Sequence, residues 1–256
     1  MVVYAFVSGK RDRADASHRE HWKRLRERFN QDGLAGFHSY EVIELLLTLA
    51  RTQGDCKDIA KAAIRAFGSV RGVLDASDED LQTVVGVGPV SAFTFRLVRA
   101  VAEYYYGERM KQDTISLGNS QAVVEYLRVS MGSLPRESFL AVFLDAQNRP
   151  ICWETLFRGT LTSSAVYPRE VFKRVLELNA AAVIFAHNHP SGCVEPSEND
   201  MQITSDLVLA ASFMDVRVLD HIIVGADTHY SFADHGLLRE CSQQALDFHE
   251  SRRRRG

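Results

Sequence analysis

The chain has few cysteines, and none of them is placed to form a paired motif. Four cysteines occur in 256 residues, at positions 56, 152, 193 and 241, and there is no Cys-x-x-Cys sequence. This scatter argues against a disulfide-stapled secreted scaffold. We therefore expect a protein of a reducing compartment, most simply the cytoplasm.

A large net charge and a long apolar run are also missing. The formal net charge at pH 7 is −3, so any surface that attracts nucleic acid must be local. No apolar run approaches the roughly 18 residues of a spanning helix, and the N-terminus lacks a signal-peptide core, so we expect no membrane segment. The composition, 46% hydrophobic and 25% charged, instead predicts a globular protein with one large domain or two ordinary ones.

Residues 181–200 are the most informative stretch. An apolar run typical of a buried strand ends on His187 and His189, just before a Pro-Ser-Gly turn. Side chains two apart on a strand point to the same face, so the two imidazoles are predicted to converge while Asn188 faces away. A loop and the start of an amphipathic helix then return Asp200 toward them. Two imidazoles and one carboxylate leave a tetrahedral zinc ion one open position for water, as a catalytic site requires.

Ser197 and Asp200 also have a simpler interpretation. Ser-x-x-Asp before an apolar run is a common helix cap, with Ser197 as the N-cap and Asp200 in the first turn. A His-x-His pair also occurs often by chance. The joint pattern His-x-His-Pro-x6-Ser-x2-Asp, at a strand end and a helix start, is far more specific. Capping and a role in a metal site do not exclude each other.

The N-terminal part of the chain is predicted to be helical. Residues 1–35 begin with a short apolar strand or arm over Val2–Val7, and a basic helix follows. We interpret the charged face of that helix as solvated, with phosphate contact as the alternative. Residues 36–107 read as a compact helical domain, and residues 108–118, which are polar and aperiodic, as a linker.

The segment over residues 84–89 is the most specific feature of the helical domain. Gly86 and Gly88 allow a tight hairpin, and Pro89 suits the first turn of the next helix, whose positive end is a ready phosphate site. The segment resembles the second hairpin of a helix-hairpin-helix DNA-binding module, which implies that Gly86 and Gly88 contact the DNA backbone rather than bases. Such modules also serve as protein–protein packing units, and acidic side chains on the preceding helix would oppose a phosphate. Both interpretations stay open.

The C-terminal half is predicted to have a mixed sheet. Strands and helices alternate irregularly over residues 119–240, which favours a mixed sheet with helices packed around it. Residues 241–256 are interpreted as a basic tail. Its run Arg252–Arg255 could add salt-dependent affinity for phosphate.

The sequence HNHPSG followed by PSxxD resembles the JAMM (MPN-type) zinc metalloprotease motif, in the form carried by the RadC family. The similarity extends through LFRGTLTSSAVYPREVF, LDHIIVG and YSFADHGLL, and it covers residues 120–240. It implies an α/β fold, with an all-α helix-hairpin-helix domain followed by a JAMM/MPN domain of cytidine-deaminase-like α/β/α layers. It also implies one Zn²⁺ per chain, held by His187, His189 and Asp200.

The resemblance implies roles for two further residues. Glu154 would act as the general base that takes a proton from the zinc-bound water. Spacing alone does not distinguish it from two other glutamates, Glu170 and Glu195. Ser197 would donate a hydrogen bond to the oxyanion that forms on the substrate.

Two more features near the motif have competing interpretations. The adjacent Asp220 and His221 either form a satisfied polar pair at a sheet end or orient a ligand imidazole. Cys193 follows the histidines closely enough to suggest a soft zinc ligand. Its place in a turn, and the sufficiency of the other three ligands, favour a passenger thiol instead.

These observations predict a zinc-dependent metallohydrolase that cleaves peptide or isopeptide bonds in a protein or peptide substrate. The alternative is a DNA repair or recombination protein, either a nuclease or a DNA-binding accessory that uses the helix-hairpin-helix module. The traditional name of the family that the chain resembles is associated with DNA repair. A third interpretation is a binding scaffold with a structural metal or none. Two-metal phosphoryl chemistry usually needs more clustered carboxylates than this motif offers, which favours amide hydrolysis.

Overall fold

A computed structural model describes residues 20–51, 54, 56–112, 121–159 and 166–253. Contacts divide the chain into two compact units, and the boundary along the sequence falls between Val101 and Ala102. The predicted arm over Val2–Val7, linker residues 113–118 and the last residues of the tail lie outside the described ranges. Within those ranges, none of the helices combines the length and the apolar character that a membrane span requires.

The first unit is helical, as predicted. Its helices are α1 (residues 20–32), α2 (Ser39–Ala50), α3 (Lys57–Phe67), α4 (Val70–Asp75), α5 (Asp78–Gln82) and the first part of α6 (Pro89–Gln112). They enclose one apolar core, whose buried members include Trp22, Leu47, Ala60, Leu81 and Phe95. The short helices begin at serine N-caps, since the Ser69 and Ser77 hydroxyls accept backbone N–H bonds.

The basic face of α1 is not simply solvated. Arg28 forms a bidentate ion pair with Glu41 of α2, with N–O distances of 2.8 and 3.1 Å. Arg26 donates to the backbone carbonyl of Thr48 at 3.3 Å. These contacts hold α1 against α2, so part of the charge that suggested phosphate binding is already paired within the unit.

The second unit contains a five-stranded mixed sheet. Its strands are β1 (Ser138–Leu144), β2 (Pro150–Arg158), β3 (Ala182–Asn188), β4 (Arg217–Val224) and β5 (His229–Ser231). The strand order is β2-β1-β3-β4-β5, and only the β3–β4 pair is parallel. The remaining helices are α7 (Gln121–Met131), α8 (Pro168–Glu177), α9 (Glu198–Phe213) and α10 (Leu237–Arg253).

Helices cover both faces of this sheet. Alternate residues of β1, such as Leu140 and Val142, pack against α7 on one face. The residues between them, such as Phe139 and Phe143, pack against α8 and α9 on the other. The mixed sheet and the α/β/α layers predicted for this half are therefore confirmed.

Two segments are more ordered than the sequence suggested. Helix α6 continues to Gln112, into the residues assigned to a linker, and Met110 is fully buried. Residues 241–253, assigned to a basic tail, are helical and belong to α10. Leu238, Cys241 and Ala245 repeat at helical spacing and pack with Val208 of α9. The helix was not predicted from the sequence because charged and polar residues outnumber the apolar residues of this short stripe.

Candidate metal centre

Strand β3 brings both predicted histidines to one end of the sheet. His187 is fully buried, and its Cα pairs with that of Phe139 on β1. The backbone N–H of His189 donates to the Val224 carbonyl at 3.0 Å, so the chain continues in strand register past the end of β3. The amide oxygen of Asn188 accepts from the Ser138 N–H at 2.8 Å on the opposite face. The two imidazoles therefore converge and Asn188 faces away, as the alternation predicts.

Asp200 reaches the histidines from the first turn of α9. Ser197 is the N-cap of that helix, and its N–H and hydroxyl donate to Oδ2 of Asp200 at 2.8 and 2.6 Å. The Asp200 carboxylate lies 3.1 Å from Nε2 of His187 and 3.4 Å from Nε2 of His189. The two Nε2 atoms are 3.0 Å apart. We call His187, His189 and Asp200 the metal group, since they form the set of described side chains that could hold a metal ion.

The tautomer of His189 follows from its hydrogen bond to a backbone carbonyl. Its Nδ1 lies 2.6 Å from the carbonyl oxygen of Cys193. A carbonyl oxygen can only accept, so Nδ1 carries the proton. In the neutral ring, Nε2 then carries a lone pair, which is directed toward Asp200 and Nε2 of His187. Cys193 thus contributes its backbone to the site, and its thiol is exposed.

A buried chain of hydrogen bonds fixes the tautomer of His187. The Thr204 hydroxyl donates to the Asp200 carbonyl at 2.6 Å, so its oxygen accepts from Nδ1 of His221, also at 2.6 Å. Nε2 of His221 is therefore the acceptor for Nδ1–H of His187, at 2.9 Å. His187 is left with its Nε2 lone pair directed at Asp200. His221 thus orients the His187 imidazole, while Asp220 accepts from Ser231 and two backbone N–H groups.

The pKa shifts show how the site responds when a proton is added to it. Burial lowers the pKa of His187 and keeps the pKa of His221 well below its usual value, so both rings are neutral. Asp200 raises the pKa of His189, because a second proton added at Nε2 of that ring would be donated to the carboxylate. Burial alone would raise the pKa of Asp200, but the Ser197 hydroxyl and the imidazoles, when they carry a proton on Nε2, favour the charged carboxylate and hold its pKa far below the usual range.

Glu154 does not join the metal group. It lies on the edge strand β2, where its Cα pairs with that of Ala141 on β1. Ala141 in turn pairs with Phe185 on β3, two residues before His187, so Glu154 is not level with His187 across the sheet. Its carboxylate accepts three hydrogen bonds from the Arg174 guanidinium, at 2.6 to 3.0 Å, and these hold its pKa below the usual range. A carboxylate held in this way is a weak proton acceptor, and its role as general base stays a prediction.

Sequence reasoning missed a second carboxylate, that of Glu137. It precedes β1, and its carbonyl accepts from the Gly159 N–H at 2.8 Å, so the β1–β2 ladder still applies there. Two residues before Phe139, it lies on the face of the sheet that carries His187. Its negative charge acts on both imidazoles of the metal group. Only the pairing of β1 with β3 brings it there, which no local pattern predicts.

The hairpin predicted to contact DNA has the expected backbone form. The Val87 N–H donates to the Val84 carbonyl at 3.0 Å, and Pro89 opens α6. Gly86 has a φ of 94°, in the left-handed region, and a Cβ there would lie 2.6 Å from Cδ1 of Ile59. A Cβ on Gly88 would meet no atom within 4 Å. Gly86 therefore shapes the hairpin, and Gly88 lies at its open side.

Ion pairs within the module consume much of its positive charge. Arg71 and Arg99 pair with Asp75, and Arg96 pairs with Asp78 at 2.8 Å. These three arginines are thus engaged by the acidic residues that the sequence suggested would oppose a phosphate. Arg51 contacts the hairpin itself, where its guanidinium donates to the Gly86 carbonyl at 2.7 Å.

The fold and the metal group together define a JAB-type (JAMM) domain, and a family model described as RadC-like JAB domain matches residues 117–237. A UPF0758 protein of Leptothrix cholodnii is 43% identical over 215 residues, which cover 84% of this chain and 96% of the relative. UPF0758 proteins of a Janthinobacterium species and of Nitrosomonas eutropha are 42% and 40% identical, with the same coverage. The chain belongs to the RadC (UPF0758) family.

Proposed function

We propose that the chain is a zinc-dependent metallohydrolase that cleaves peptide or isopeptide bonds. One observation carries the proposal: the Nε2 lone pairs of His187 and His189 are both fixed toward the Asp200 carboxylate, within 3.4 Å of it. Two neutral imidazoles and one carboxylate, with the other ring nitrogens engaged, match the donors of a catalytic zinc site. Zinc bound there would lower the pKa of a bound water to about 7 and so supply hydroxide near neutral pH.

Carboxylates and a hydroxyl of the chain would carry out the proton transfers and charge stabilisation. We propose Glu137 as the general base, since it lies on the metal side of the sheet, and keep Glu154 as the competing assignment. Ser197, which caps α9 beside the metal group, would turn its hydroxyl from Asp200 to the oxyanion that develops on the substrate carbonyl. This donor is already positioned by the helix cap.

The first test of this proposal is metal content. We expect about one zinc per chain by mass spectrometry of the purified protein. His187→Ala and Asp200→Ala should both lose it while circular dichroism shows that the fold is retained. A wild-type protein that takes up no zinc, even when zinc is supplied, would show that the hydrolase proposal is wrong.

Peptide and isopeptide substrates then distinguish the two candidate bases. Glu137→Gln should retain zinc and lose hydrolysis by about 100-fold or more, the usual effect of removing a general base. Glu154→Gln, the matched control, should lose little activity if its carboxylate serves mainly the ion pair with Arg174. The reverse result would restore Glu154 as the base.

DNA binding is a second candidate function, favoured by the hairpin over residues 84–88. The backbone form of this hairpin and the start of α6 at Pro89 fit a phosphate oxygen of a DNA strand. In this case the module would bring a nucleic-acid substrate or partner to the protein, as DNA repair or recombination requires. Such binding would depend on the backbone and be largely independent of sequence.

A pair of substitutions at Gly88 tests this candidate without disturbing the hairpin. Because a Cβ there would meet nothing within 4 Å, and Gly88 lies at the open side of the hairpin, both Gly88→Ala and Gly88→Glu should fold. Gly88→Glu places a carboxylate where a phosphate would bind and should abolish binding to labelled duplex DNA in fluorescence anisotropy at low salt. Gly88→Ala should bind as the wild type does. Equal affinity of the two variants, or no binding by the wild type, would rule out this site.

A further inference from the structure

A cleft lies on the face of the sheet opposite the metal group. Its volume is about 380 Å³, within the range of small-molecule sites. The ends of β1 and β2 form one wall, helix α7 forms another, and the loop from α7 to β1 closes it. The lining residues on which its chemistry depends are Arg136, Ser138, Thr155 and Arg158 at the strand ends, with Glu103 and Tyr126 on the helical side.

Two guanidinium groups stand at the strand ends of this cleft. Arg136 and Arg158 are exposed, and neither side chain makes an ion pair or hydrogen bond with a described residue. The Cα of Arg158 pairs with that of Ser138, and Arg136 is two residues before Ser138. Both therefore flank the same strand position. In lacking such partners they differ from Arg174 of α8, whose guanidinium forms ion pairs with Glu154 and Glu177.

Between the two arginines lies a serine, Ser138. Ser138 is only 4% exposed, and its backbone N–H is used by Asn188. Its side chain points to the face of Leu140, which lines the same cleft, and its hydroxyl has no hydrogen-bond partner among the described residues. This hydroxyl is therefore available to a ligand in the cleft, as a donor or as an acceptor. The Thr155 side chain lines the cleft beside it, on the neighbouring strand.

We propose that this cleft binds a small molecule through a phosphate or carboxylate group. Arg136 and Arg158 would pair with the anion, and the Ser138 and Thr155 hydroxyls would donate hydrogen bonds to its oxygens. Glu103 lines the cleft on the side of Tyr126, so the anionic group is placed at the strand ends and the rest of the ligand extends toward α7. Apolar side chains there, Met131, Leu134 and Leu140, suit a less polar portion of the ligand.

Calorimetric titration of the full chain with three anions tests the proposal. Inorganic phosphate, adenosine monophosphate and citrate are compared in chloride buffer at one ionic strength. The protein is first stripped of metal and the chelator is removed by dialysis, so that neither a metal ion nor the chelator takes part. We expect at least one of them to bind, and the order of affinities separates phosphate from carboxylate recognition. Arg136→Gln and Arg158→Gln should each weaken binding by about tenfold, and Ser138→Ala by a smaller factor.

Arg149→Gln supplies the matched control. Arg149 is an exposed arginine in the turn at the other end of the β1–β2 hairpin, so its removal changes the net charge equally and should leave the affinity unchanged. Failure of all three anions to bind at millimolar concentration would overturn the proposal. It would also be overturned if Arg149→Gln weakened binding as much as the two cleft variants.

Discussion

At the scale of single residues, Thr204 is predicted to control metal affinity without touching the metal. Its hydroxyl sets the direction of every hydrogen bond from Asp200 through His221 to His187. Thr204→Val removes that donor, so His221 can adopt the other tautomer and His187 loses its fixed orientation. We expect zinc affinity to fall by about 10- to 100-fold, the usual effect of losing an outer partner of a ligand histidine. Competition with a chromophoric chelator measures it.

Thr204→Ser is the control for this prediction. It keeps the hydroxyl and should bind zinc nearly as the wild type does. Nitrogen-15 NMR of the metal-free protein gives an independent measurement, since it distinguishes the two tautomers of His187 directly. If Thr204→Val retained both the wild-type affinity and the Nδ1–H tautomer of His187, the hydrogen-bond chain would have no such role.

At the scale of elements, the contact between α1 and α2 is predicted to depend on pH. Arg28 lowers the pKa of Glu41 to about 2, and the His38 N–H also donates to this carboxylate. The unfolded chain binds this proton near pH 4.3, so the stabilising contribution is complete above that pH and is lost as the pH falls toward 2. Glu41→Gln should therefore lower the urea midpoint at pH 6 and have little effect near pH 2.

Fluorescence of Trp22 measures this contact locally. Trp22 is buried in the helical core beside α2, and the only other tryptophan is Trp153, so a Trp153→Phe background isolates its signal. Glu27→Gln is the matched control. Its pair with Lys23 is long, at 3.9 Å, and exposed on both sides, so it should contribute little at any pH. A Glu41→Gln effect that persisted undiminished at pH 2 would contradict the linkage.

At the scale of the whole molecule, local patterns in the sequence were sufficient for most elements. The apolar run before His187 predicted β3, the spacing of Ser197 and Asp200 predicted the start of α9, and Pro168 predicted the start of α8. Each of these signals lies within a few residues of the feature that it specifies. The same is true of the convergence of the two histidines, which follows from the period of a strand.

Features that depend on strand pairing were harder to obtain. His221 could be suggested as a partner of a ligand histidine, but only the parallel pairing of β3 with β4 brings it to His187. The pairing of β1 with β3 places Glu137 on the face of the sheet that carries His187. Glu154, which the family resemblance indicated as the base, forms an ion pair with Arg174 instead. Contacts between residues distant in sequence are set by the sheet as a whole, and a single sequence does not encode them locally.

The opposite orientations of His187 and Asn188 also bear on how the domain reaches its native state. The side-chain amide of Asn188 forms hydrogen bonds with backbone groups of Leu134, Arg136 and Ser138, and so holds the loop before β1. The neighbouring side chains, those of His187 and His189, face Asp200 instead. A slip of β3 by one residue would exchange these two sets of side chains. Such a misaligned chain could neither assemble the metal group nor tie down that loop. Formation of the metal group and closure of the loop before β1 therefore report the same event, the correct alignment of β3.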